Sequence, residues 1–141
     1  ADRVTFATRK ADLAGCGRVA PLSRPERTLW RTCRIEPRTW SPDGERSLNT
    51  WVYFDAAGTD RWVLRDGTTG ERTARIVGRL SWQAVWEDNR HFLTLAQGED
   101  GTAAIVRCTV TARCTRAGRT WRIPVNEDAY FVSPPVLLAS S

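Results

Sequence analysis

The residues of this 141-residue chain whose types and spacing could do chemistry are four cysteines, one histidine and two groups of arginines. Cys108 and Cys114 flank Thr-Val-Thr-Ala-Arg, so they would face each other across a tight hairpin. Cys16 and Cys33 stand symmetrically about Ser23-Arg-Pro-Glu26, a plausible turn. Pairing positions that sum to 49 sets Cys16 opposite Cys33 and Val19 opposite Trp30. Of the possible connectivities, only this local one needs no long-range assumption. Loop closure gives each bridge roughly 2–3 kcal/mol. Such bridges belong to an oxidising compartment, so a secreted or cell-envelope setting is expected. Two alternatives stay open. One is a zinc site, although neither pair has the short spacing of zinc ligands and His91 is the only histidine. The other is a set of free buried thiols. No metal is expected.

His91 follows Asp88-Asn-Arg90 at the start of a strand-like run. A general base needs a nucleophile or a carboxylate beside it, and none stands at a telling spacing. The chain has no Gly-x-Ser-x-Gly elbow and no phosphate-cradling glycine loop. No catalytic residue and no cofactor are therefore expected. The acidic stretches Asp55–Asp60, Glu87–Asn89 and Glu99–Asp100 lack the regular oxygen spacing of an EF-hand calcium loop. Hairpin turns favour Asp and Asn in any case.

The net charge is +5, with an isoelectric point near 9.6. All but one (Lys10) of the 21 cationic side chains are Arg, scattered from Arg3 to Arg122. Alternate residues of a strand share a face, so Arg107, Arg113 and Arg116 are candidate contacts for an anionic ligand. The plainer reading is a solvated sheet edge. Nucleic acid is not expected in an extracytoplasmic setting. Seven tryptophans could stack on sugars, but aromatics in strands more often pack a core. Trp40, Trp51, Trp62, Trp82 and Trp86 are read as packed; Trp30 and Trp121 are read as partly exposed.

The elements that must carry these residues are short strands in a repeat. Trp40-Ser-Pro-Asp-Gly44 is echoed 46 residues later by Trp86-Glu-Asp-Asn-Arg90. In the first turn Pro42 presets φ and Asp43 bonds nearby backbone, with Gly44 closing it. Strand-like runs follow at Leu48–Phe54, Arg61–Arg65 and Arg72–Val77. The second unit offers Trp82–Trp86, His91–Ala96, Ala103–Cys108 and Arg113–Ile123. Before both units come Arg3–Thr8, Gly17–Leu22 and Thr28–Ile35. A period in the forties carrying several short strands indicates propeller blades. The expected division is an incomplete blade over 1–37, blades over 38–79 and 80–124, and a closing strand or tail over 125–141. Trp40 and Trp86 would be wedges between blades.

The ordered set Cys16-Gly-Arg-Val, Leu29-Trp-Arg-Thr-Cys33, Trp40–Gly44, Trp86-Glu-Asp and Val106-Arg-Cys108 resembles WD-repeat or TolB-like β-propellers, of the kind common in exported actinobacterial proteins. The resemblance runs along most of the chain. Glu87-Asp-Asn departs from it, standing where Ser-Pro-Asp is expected. What it implies is an all-β fold: a partial β-propeller of roughly three four-stranded antiparallel blades. Missing blades or a second copy would complete the ring. It implies no activity, because such folds serve as platforms for many partners. The expected function is a non-enzymatic, extracytoplasmic binding platform for a protein or cell-envelope polymer. The alternative is the accessory propeller of a larger exported enzyme such as a peptidase. No run approaches the roughly 18 apolar residues of a membrane span. The absence of Met and of an apolar leader reads as a processed or trimmed chain.

Overall fold

A computed structural model describes residues 2–9, 16–33, 35–51 and 58–123. Among the described residues the regular elements are eleven strands and no helix. β1 (Val4–Arg9), β2 (Cys16–Ala20) and β3 (Trp30–Cys33) form a three-stranded antiparallel sheet in the order β1-β2-β3. Its register sets Cys16 opposite Cys33 and Val19 opposite Trp30. The large sheet runs β4 (Ile35–Trp40), β5 (Arg46–Trp51), β6 (Thr59–Asp66), β7 (Arg72–Trp86), β8 (His91–Gln97), β9 (Thr102–Thr109) and β10 (Cys114–Arg116). β11 (Trp121–Arg122) pairs with β9 beside β10.

β7 organises the molecule. Its first part pairs with β6 from Arg72 to Leu80, and its last part pairs with β8 from Arg79 to Trp86. Between Leu80 and Ala84 it takes four steps where β8 takes two, Ala96 to Thr94. Extra residues of this kind bend a strand sharply. The sheet therefore folds over on itself, with β4–β6 and the start of β7 as one half. The end of β7 with β8–β11 is the other. Each half is an antiparallel meander. The expected unit boundary at 79/80 falls at this bend, inside one continuous strand. The other expected boundary, 37/38, falls inside β4.

The core lies between the halves. Leu48, Leu64 and Ala74 oppose one another across three strands, and Trp62 opposes Ile76 across two. Phe92 stands opposite Trp86 on one side and Cys108 on the other. Leu48, Trp62, Leu64, Ile76, Leu80, Phe92 and Cys108 form one buried cluster, with Trp86, Ala96 and Val106 packed against it. The alternation of these apolar positions along each strand is what makes the sheet fold in this sense.

The three-stranded sheet docks on the first half through Trp30. Its ring lies 6.3 Å from Trp40, and its Nε1–H donates to Gly67 O at 3.2 Å. Gly70 is what admits the ring. It adopts φ 73°, and a Cβ there would stand 2.6 Å from Trp30 Cγ.

Several expectations need correction. Trp30 is buried rather than partly exposed, whereas Trp51 is 36% and Trp82 43% exposed. The physical reason is position. Trp30 meets a glycine turn of another sheet; Trp51 ends its strand, and Trp82 sits in the irregular stretch of β7 where alternation breaks. Trp40 and Trp86 are only half-buried. The run Thr28–Ile35 divides between β3 and β4, which belong to different sheets. The run Arg113–Ile123 gives two short strands, β10 and β11. The end of the Leu48–Phe54 run, the turn before Gly58 and the tail 125–141 lie outside the described residues.

Candidate functional site

The fold gathers polar side chains at two places: the end where the turns meet, and the bend. At the turn end, Gly44 N–H donates to Ser41 O at 2.8 Å, closing the Ser41-Pro-Asp-Gly44 turn. Gly44 has φ 73°. Asp43 Oδ1 accepts from the Ser41 hydroxyl at 2.6 Å and from Glu45 N–H at 2.9 Å. Burial pushes the Asp43 carboxyl up, but the Ser41 and Glu45 bonds outweigh it and leave the group below the usual range. Ser41 is the buried hub: it has no exposed surface, and its Oγ also accepts from Arg46 N–H at 3.0 Å. Sequence reading singled out Asp43 and passed over Ser41, whose place between a strand-end Trp and Pro42 was the available signal.

The echoed turn lies beside the first. Asp43 N–H donates to Asn89 Oδ1 at 3.1 Å, a bond between positions 46 apart. Asp88 Oδ1 accepts from Arg90 N–H at 2.6 Å and His91 N–H at 2.7 Å. His91 Nδ1 stands 2.9 Å from Asp88 Oδ2. The Arg90 N–H bond, then the His91 ring, lower Asp88 to about 2. A carboxylate beside His91 was not expected from spacing; the turn geometry brings i and i+3 together. Among the described residues no hydroxyl or thiol is hydrogen-bonded to His91, so the pair orients a ring without a nucleophile to activate.

The three arginines proposed as anion contacts do not share a stripe. Arg107 stands opposite Thr115 and Arg116 opposite Val106, so the two side chains leave opposite faces. Arg107 Nε is held by Glu87 Oε2 at 2.6 Å. Arg116 donates to Thr120 Oγ1 at 3.1 Å and, with Arg119, lines a shallow surface hollow. Arg113 is exposed in the turn between them, its N–H bonded to Thr109 Oγ1.

Both cysteine pairs are disulfides: Cys16–Cys33 across β2 and β3, and Cys108–Cys114 across β9 and β10. No cysteine is left free. Among the described residues no cluster of His, Cys, Asp or Glu could hold a metal ion, and no helix is long and apolar enough to cross a membrane.

The bend end is different. A cleft of about 330 Å³ opens there, lined by Gly58, Thr59, Asp60, Arg79, Leu80 and Gln97. Its floor depends on Gly58, which has φ 138°; a Cβ there would meet Leu80 O at 2.5 Å. Thr59 is fixed by the buried Thr50 hydroxyl, 2.8 Å away. Asp60 accepts from Arg61 Nε at 3.0 Å with both oxygens, and also from Nη2. The Arg61 bonds hold its carboxyl below the usual range. The Arg61 guanidinium carbon stands 5.4 Å from the centre of the Trp51 ring. Apart from Asp60, the end of an acidic stretch weighed for calcium, the sequence singled out none of the lining residues, because the bend that collects them arises from a register shift.

Comparison with protein-family models, with curated proteins and with solved structures finds no match for this chain.

Proposed function

We propose that this chain is a non-enzymatic, extracytoplasmic binding module that takes a protein or a cell-envelope polymer as its ligand. The observation that carries the reading is the pairing of all four cysteines across adjacent strands. Bridges of this kind persist where no reductant pool acts on them. Further support comes from the polar groups. The His91–Asp88 pair and the Asp43 carboxylate have partners that fix turns, which is structural work. The cleft at the bend has the concave, mixed polar and apolar lining of a ligand site.

The finer form of the proposal is a partial β-propeller. Its support is the repeat and the arrangement of its units. The three-stranded sheet lies within the first unit, 1–37, and the two halves of the large sheet follow the two units of the repeat to within the few residues by which β4 overlaps the first. The halves pack face to face with their equivalent turns side by side, as neighbouring blades do. The unbroken course of β7 through the unit boundary weighs toward a single folded sheet. On the propeller reading, missing blades or a second copy cover the outer faces.

The test is co-sedimentation of the oxidised protein with isolated cell envelopes, before and after protease treatment of the envelopes. Retention after protease identifies a polymer ligand, and loss identifies a protein. A chain that stays in the supernatant in both cases, and binds no extracted envelope component, contradicts the reading. Light scattering addresses the finer form: a soluble monomer of about 15.9 kDa would count against ring closure by a second copy.

A further inference from the structure

We infer that the cleft at the bend of β7 is a saccharide-binding site selective for sugars that carry a carboxylate. The inference rests on the binding-module reading and names the ligand class of one site within it. Three observations support it.

The first is a set of polar groups without partners. Among the described residues neither the Arg79 guanidinium nor the Gln97 amide makes a side-chain hydrogen bond or ion pair, although both line the cleft. Backbone pairing between Arg79 and Gln97 sets the two side chains together. The turn carboxylates Asp43, Asp66, Asp88 and Asp100, by contrast, are bonded within their own turns. A guanidinium presents a planar fork of donors suited to a carboxylate. An amide both donates and accepts, as paired sugar hydroxyls require.

The second is charge. Among the described lining residues Asp60 is the one carboxylate, and Arg61 pairs with it. That leaves the Arg79 guanidinium as the uncompensated charge of the lining, so the cleft favours an anion. A phosphate or sulfate would gain nothing from Asp60. A sugar acid would, because its hydroxyls donate to Asp60 while its carboxylate accepts from Arg79.

The third is exposed indole. Trp82 lies two residues beyond the lining residue Leu80, and Trp51 follows Thr50, whose hydroxyl meets the lining residue Thr59. Both are among the few large apolar side chains left exposed. An indole face is apolar with a polar handle and matches the C–H face of a pyranose. The cleft's 330 Å³ sits at the small end of ligand pockets, which run from roughly 300 to 1,000 Å³.

The experiment uses the full oxidised chain, with an oligogalacturonate as the acidic probe and a neutral glucan oligomer of equal length as control. Calorimetry gives affinity, and tryptophan emission reports whether exposed indoles are covered. The acidic oligomer should bind more tightly than the glucan and should shift the emission to the blue. Arg79→Gln should weaken the acidic oligomer at least about tenfold, the scale of one lost charge-assisted contact. Arg113→Gln removes the same charge at the turn end and should change affinity less than about twofold. Gln97→Ala, which keeps the charge, should weaken the acidic oligomer and the glucan alike. Equal losses from Arg79→Gln and Arg113→Gln would show attraction by net charge alone and overturn the site. Absence of oligogalacturonate binding, with envelope co-sedimentation intact, would overturn the site and leave the binding-module reading standing. Absence of both would remove the reading beneath it.

Discussion

The two ends of the folded sheet use the same kinds of side chain to opposite purpose. At the turn end, Asp43, Asp66 and Asp88 accept from backbone N–H groups within their own turns, and Asn89 joins one turn to the other. Arg107 is held by Glu87. At the bend, the Arg79 and Gln97 side chains make no hydrogen bond or ion pair among the described residues, and Trp51 and Trp82 are 36% and 43% exposed. A polar group whose bonds are made internally stabilises a fold. One whose bonds are unmade in a concave site is available to a ligand. In the basic cluster that looked most ligand-like by composition, Arg107 and Arg116 likewise have side-chain partners on the chain, Glu87 and Thr120.

The largest expected effect should strike both ends together. Trp62 is wholly buried between the halves, so Trp62→Ala should cost about 3–5 kcal/mol and lower the urea midpoint sharply. Trp82→Ala, at a 43% exposed position, should cost far less and mainly alter binding at the bend. If the two substitutions cost the same, the halves are not packed on Trp62.

Removing the bridges ranks next and separates the sheets. The Cys16–Cys33 loop spans 17 positions and the Cys108–Cys114 loop 6. Double Cys→Ser variants should lose about 3 and about 2 kcal/mol respectively on loop-closure grounds. Urea titration of each checks the order; a larger loss for the shorter loop would contradict the entropic account of these staples.

Within the turn end, Ser41→Ala should cost about 1–3 kcal/mol, because it removes a buried hydroxyl that bonds both Asp43 and the Arg46 backbone. Asp43→Ala should cost about 1 kcal/mol, as other lost caps do. Thermal unfolding of both variants tests whether the buried hydroxyl or the exposed carboxylate governs the turn.

The smallest effect is a pH dependence confined to acid. Asp43, Asp66, Asp88 and Asp100 all have folded pKa values below the ordinary carboxylate value, Asp88 at about 2. The unfolded chain thus takes up protons first as pH falls. The stabilisation is complete above about pH 4 and is lost as pH drops through the folded values toward about 2. Urea midpoints measured from pH 7 to 2 should stay level and then fall. Asp88→Asn should flatten the acid limb in part, and an acid limb unchanged by that substitution would contradict the assignment.

Much of the local structure was legible in the sequence because local geometry determines it. The cysteine spacing carried the hairpin register to the residue, with Val19 opposite Trp30. The Ser41-Pro-Asp-Gly44 turn followed from Pro and Asp chemistry. What was not legible was long-range. Trp30 is buried because Gly70, forty positions away, leaves room for its ring. His91 has a carboxylate neighbour because a turn closes on it. The cleft exists because β7 takes two more steps than β8, and no composition or periodicity announces a register shift. Strand alternation also misassigned Trp51 and Trp82, which lie where alternation stops. Arg107 and Arg116 fall on opposite faces because an odd number of positions separates them.

The most direct test of the contrast between the two ends is amide hydrogen exchange on the oxidised protein, with and without saturating oligogalacturonate. New protection should appear at 58–61, 79–82 and 97, with 41–46 and 87–91 unchanged. Protection confined to the turns, with the bend exchanging as in the free protein, would contradict the account.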